Sequence, residues 1–96
     1  MHNQFNDIEF DLVKAQSNLR KHKVSFGQAE QVLLDPLAIT TEDKHALGEQ
    51  RFSTLGADGA GKILIVIHTS RGDRTRLISA RKASKSEAEK YHAQGI

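Results

Sequence analysis

The chain has 96 residues, fewer than two domains usually need, so one modest core and a single domain over 1–96 are expected. It contains no cysteine, which excludes disulfides, thiolate metal sites and redox chemistry on the protein itself, and suits a reducing cytosol. The net charge of +2 hides a division: residues 1–50 carry five Lys/Arg against eight Asp/Glu, and residues 51–96 carry nine against four, so the second half attracts anions.

The N-terminal stretch lacks the charged and apolar regions of a signal peptide, and the longest apolar run, Ile63 to Ile67, is too short to span a bilayer. A cytoplasmic protein with no membrane partner is expected, loosely ordered at 1–7 and 93–96. Asp11 caps a first helix from Leu12 to about Lys23, in which Leu12, Ala15 and Leu19 recur at helical spacing. Ser25 and Gln28 have capping-box spacing, and Phe26, Ala29, Val32 and Leu33 predict a second helix ending at Asp35-Pro36.

From Leu37 the pattern turns extended: Leu37–Asp43, Arg51–Ala57, Lys62–Ser70 and Arg74–Arg81, with glycine-containing turns around the third segment. Four antiparallel strands in meander order are predicted. Ile63 to Ile67 is apolar on both faces, which makes it an interior strand, whereas Arg74 to Arg81 alternates, with Ile78 and Ala80 opposite Leu77 and Ser79. Ser84 and Glu87 form another capping box and open a C-terminal helix bearing Ala88 and Tyr91 on one side. The fold class is α+β: two N-terminal helices, a four-stranded antiparallel sheet, then one helix.

Function is expected on the basic hairpin from Lys62 to Arg81. Its guanidinium groups, Arg71, Arg74, Arg76 and Arg81, with Arg51 on the neighbouring strand and Lys82 just beyond, offer forks that bind phosphate oxygens bidentately. Arg74 and Arg76 also fit solvated edge-strand charges. Arg81 differs, because it precedes a helix N-terminus, where backbone donors and the helix dipole attract an anion. The histidines His2, His22, His45, His68 and His92 form no i,i+4 pair, so no metal site or cofactor is expected. His22 suits a helix end, His45 an exposed loop with acid/base capacity, and Tyr91 a core anchor with a satisfied hydroxyl. No phosphate-binding glycine loop, nucleophile elbow or zinc-protease helix motif is present. What remains without a metal is phosphodiester cleavage by internal attack, for which only RNA supplies the hydroxyl.

Ile8-Glu-Phe-Asp11 with Lys14-Ala15, Asn18 to His22, Val24-Ser-Phe26 and Asp35-Pro36 resemble the N-terminal half of BrnT-type toxins. His45, Gly48-Glu49, Arg51, His68-Thr69, Arg71-Gly-Asp73, Ile78 to Ala83, and Glu87 with Tyr91 resemble the second half in order and spacing. The resemblance implies a RelE-like fold and a type II toxin: a metal-independent endoribonuclease that inhibits translation. It further implies neutralisation by a BrnA-like ribbon-helix-helix antitoxin, with operator DNA bound only through the antitoxin complex. On that reading Arg51, Arg71 and Arg81 hold the scissile phosphate and Lys21 or His45 moves protons. Phe10, Leu12, Lys23, Gly27 and Ala88 depart from the residues usual in the family; at Lys23 glycine is common. The alternative is a non-catalytic basic module that binds nucleic acid or docks an antitoxin.

Overall fold

The computed structural model describes residues 7–94. In chain order the elements are β1 (Ile8–Glu9), α1 (Leu12–His22), α2 (Phe26–Leu33), β2 (Ile39–Asp43), β3 (Arg51–Ala57), β4 (Ile63–Arg71), β5 (Arg74–Lys82) and α3 (Lys85–Ala93). Each helix begins where a side chain satisfies otherwise orphaned N–H groups: Asp11 caps α1, and full capping boxes, Ser25 with Gln28 and Ser84 with Glu87, open α2 and α3. The three predicted helices are all present. The predicted meander is also present as β2 to β5, but the sheet has a fifth strand: its order is β1-β5-β4-β3-β2, with β1 parallel to β5. Two residues carry no readable periodicity, and β1 is defined by its pairing alone.

Two apolar clusters hold the layers together. Val24, Phe26, Ala29, Val32 and Leu33 from the helical side pack on Leu64, Val66, Leu77 and Ala80 of the sheet's first face. On the second face Tyr91 of α3 packs against Leu55 and Ile65, with Ile39, Ala57, Ile63, Ile67 and Ala83 partly buried around them. The run from Ile63 is thus covered on both faces through Val66, as its apolar character requires, and Ile67 is partly buried at the edge of the second cluster. Tyr91 is the expected anchor, its hydroxyl donating to Asp35 Oδ2. Burial pushes the Asp35 pKa up, but the hydrogen bonds from Tyr91 and from the Ala57 and Leu37 amides outweigh it and hold the carboxyl below its usual value.

Two local expectations fail. The stripe of Leu12 and Leu19 does not bury α1, since both are exposed. The buried residue of α1 is Asn18. Its amide donates to Ala80 O (2.8 Å) and Val24 O (2.9 Å) and its oxygen accepts from Ala80 N (3.0 Å), so the side chain does for β5 what a neighbouring strand would do past the end of β1. Asn18→Ala is expected to destabilise the fold by about 2–3 kcal/mol in urea denaturation, because buried backbone groups lose their partners.

The second failure is the alternation of the last strand. The β4–β5 register shifts between Ile67 and His68: Ile67 pairs with Ser79 and His68 with Leu77, leaving Ile78 as the extra residue of a β-bulge. Leu77 and Ala80, three apart, therefore share the first face.

Of the expected loose termini, residues 1–6 and 95–96, and with them His2, lie outside the described residues. Asp7 O accepts from Thr75 N, and Gln94 Nε2 donates to Leu37 O.

Candidate nucleic-acid interface

The bulge decides which cations share a surface. Arg76 and Arg81 are five residues apart, an odd spacing that puts side chains on opposite faces of a regular strand. The extra residue Ile78 restores them to one face: Arg76 pairs with Thr69, Ser79 with Ile67, and Arg81 with Ile65. That is the second face, whose near end α3 covers through Leu55 and Ile65. Beyond α3 the same face presents Ser79, Ile67, Ser53 and Thr41 in a cross-strand row. The next row holds Glu9, Arg76, Thr69 and, from β3, Arg51 beside Asp43. Arg71 and Arg74 pair at the turn end. The result is a largely hydroxyl-bearing floor, with Arg81 at one end and Arg51, Arg71, Arg74 and Arg76 at the other. Arg51 and Arg76 lie on either side of β4, about 10 Å apart at strand spacing, close enough for both long side chains to reach one group between them.

The guanidinium groups are held differently. Arg81 meets Glu87 bidentately, Nη1 to Oε1 at 2.9 Å and Nη2 to Oε2 at 3.0 Å, and Nη1 also donates to Lys82 O. The Arg81 fork and the Ser84 N–H drive the Glu87 carboxyl down to about 2, while the hydrogen bond to Glu87 raises the Arg81 pKa. The anion attracted to the start of α3, as its sequence leads one to expect, is thus first of all the protein's own carboxylate.

Arg76 Nη1 lies 3.0 Å and Arg74 Nη1 3.7 Å from the two oxygens of Glu9. Arg74 and Arg76 are not edge charges, because β1 pairs with β5 at Thr75 and Arg76 and supplies that carboxylate. Arg51 has only a long contact, Nη2 to Glu49 at 3.6 Å, and its buried Nε finds no acceptor. Arg71 has no ion pair among the described residues.

The two proton-carrying candidates are not brought together. Lys21 and His22, in the basic last turn of α1, line a cleft of about 220 Å³ with Lys14, Ser17, Asn18, Ile78 and Ser79, along the flank of β5. His45 is exposed in the turn after β2, its N–H donating to Asp43 Oδ1 at 3.0 Å. Since β5 and β2 are three strand spacings apart, about 14 Å, Lys21 and His45 attend opposite margins of the floor rather than one pair of oxygens. Lys82 is directed away from Arg81, opposite Leu64.

Sequence reasoning missed Glu9 and Glu87, which hold three of the arginines, and Thr69, whose hydroxyl donates to Gln50 O next to Arg51. Glu87 was visible as a capping residue, but its second bond needed the fold. Among the described residues no three His, Asp or Glu side chains cluster in a way that suits a metal ion, and no helix is long and apolar enough to cross a membrane.

Across residues 10–87 the chain matches the family described as the ribonuclease toxin BrnT of type II toxin–antitoxin systems. The crystal structure of the Brucella abortus ribonuclease toxin BrnT is similar to it with a TM-score of 0.66 and 28% identity, over 82% of this chain and 97% of that one. No curated protein sequence gives a match.

Proposed function

The chain belongs to the BrnT family of type II ribonuclease toxins, and from that premise we propose that it is a metal-independent endoribonuclease whose substrate strand lies on the second face of the sheet. The observation that carries this reading is the bulge at Ile78, which turns Arg76 toward the same face as Arg81 and Arg51. An RNA strand crossing the Ser79–Ile67–Ser53–Thr41 floor meets guanidinium groups at both ends of its path. The hydroxyls below it suit a polar backbone without selecting a base.

The reaction is internal transfer. The ribose O2′ loses its proton to a base and attacks the phosphorus; the 5′-oxygen leaves and takes a proton from an acid. The products are a 2′,3′-cyclic phosphate and a 5′-hydroxyl end. Arg81 stabilises the charge that grows on the phosphoryl oxygens, and a fixed cation serves there without reorganising during the step. Arg51 and Arg71, toward the other end of the floor and too far along it to share that phosphate, hold the strand there. Arg74 and Arg76 hold flanking phosphates. Lys21, on the β5 margin, or His45, on the β2 margin, moves a proton, since the two are too far apart to serve one phosphate together. In the cytoplasm such cleavage inhibits translation, and a BrnA-like ribbon-helix-helix antitoxin neutralises it, the complex reaching operator DNA through the antitoxin.

Purified protein incubated with RNA and excess EDTA is expected to yield fragments ending in 2′,3′-cyclic phosphate. Intact RNA with a folded sample would overturn the reading. Salt-dependent binding without cleavage would instead indicate the non-catalytic module.

A further inference from the structure

Behind the arginine face, the opposite side of the β5 terminus carries a second concentration of positive charge. Lys23, Lys62 and Lys82, with Gln28, line a small and mostly enclosed cavity of about 80 Å³ whose floor is Val24 and Leu64. No carboxylate lines it, and none of the three lysines forms a salt bridge among the described residues. The nearest acid in the network, Asp58, accepts from Gln28 Nε2 and from the Ala60 and Lys62 amides, and of the three lysines it attracts the Lys62 charge. Three lysines lining one cavity bring like charges together, and a bound anion relieves their repulsion.

Lys23 adds an independent observation. It ends α1 at φ 59°, the left-handed conformation that glycine adopts freely, and it is the only non-glycine residue at positive φ among those described. A helix end needs cations, but Arg20, Lys21 and His22 already supply them. The lysine at this strained position therefore does something for which glycine would not serve, and the residue lines the cavity.

We propose that Lys23, Lys62 and Lys82 form a second phosphate subsite, which takes a backbone phosphate of the RNA strand neighbouring the one held at Arg81. The inference rests on the reading of the arginine face as the RNA site. Continuity favours RNA as the ligand. Arg81 and Lys82 are consecutive and direct their side chains to opposite faces at the end of β5, so a strand leaving Arg81 over that end passes directly to the lysines. Ammonium groups are point-charge donors without a fixed fork, suited to backbone phosphate of any sequence.

Two variants test it, Lys23→Gly and Lys62→Gln, with a short 2′-O-methyl oligoribonucleotide as an uncleavable ligand and a dinucleotide as a substrate too short to reach the lysines. Lys23→Gly is expected to raise the Tm, since strain is relieved, and yet to weaken oligonucleotide binding several-fold. Lys62→Gln is expected to leave the Tm unchanged, weaken binding similarly and lower the slope of log K against log salt by about 0.7, the share of one phosphate on a single strand. Dinucleotide cleavage stays at the wild-type rate in both. Wild-type affinity and slope in both variants would overturn the subsite, as would weakened antitoxin binding with unchanged RNA binding. If the wild-type protein itself neither binds nor cuts RNA, it is the functional reading that falls.

Discussion

Arg81→Ala is expected to slow RNA cleavage by about a hundredfold to a thousandfold in single-turnover assays, the usual cost of removing one preorganised donor from a developing oxyanion. The fold should notice far less. The Arg81–Glu87 pair is bidentate, but the arginine side chain is 46% and the glutamate 32% exposed, so solvent screening limits its contribution to about 1 kcal/mol. Arg81→Lys should recover little activity, because an ammonium cannot present two parallel N–H groups. Glu87→Gln distinguishes two roles for the carboxylate. If Glu87 mainly orients the fork, the amide should lower the rate; if it mainly competes with phosphate, the amide should tighten RNA binding. A folded Arg81→Ala protein cutting at close to the wild-type rate would remove Arg81 from the phosphate site.

How much of this was legible in the sequence depends on the range over which each feature is determined. The helices were legible because capping is local: Ser25 with Gln28 and Ser84 with Glu87 declare a helix start within four residues. So was the doubly covered strand from Ile63, whose apolar run has no other use in a small domain. The fifth strand was not, since Ile8 and Glu9 are extended only because β5 offers them a partner. Nor was Asn18, which reads as a polar interruption of an apolar stripe until its amide is seen filling a vacancy at a strand edge.

The proposed site was legible as composition but not as geometry. Counting arginines put forward Arg51, Arg71 and Arg81, yet strict alternation puts Arg76 on the face opposite Arg81, and only the register shift at Ile67/His68 brings the two together. Two acid–base candidates read from the sequence as a pair are separated by the width of three strand spacings. The Arg74 and Arg76 charges looked like protection for an open edge because the strand that closes that edge had not been seen.

A buried histidine beside the same bulge makes the fold sensitive to acid. His68 begins the shifted register, is only 4% exposed, stacks on Phe52 with ring centroids 5.8 Å apart, and has Nε2 2.7 Å from Thr54 Oγ1, which itself meets Thr40 Oγ1. Burial lowers its pKa from 6.5 to about 4, so the folded protein keeps the ring neutral where the unfolded chain takes up a proton. The stabilisation is complete above pH 6.5 and is lost progressively as pH falls from 6.5 toward 4, by about 3 kcal/mol in all at 1.36 kcal/mol per unit. The depressed carboxyls act in a lower window: Glu87, held at about 2, gives up its share only below its ordinary value of 4.5. Urea midpoints should therefore fall between pH 6.5 and 4.5 in the wild type and stay nearly flat there in His68→Gln, which is less stable at neutral pH but carries no titrating ring. A slope unchanged in that variant would assign the acid sensitivity elsewhere.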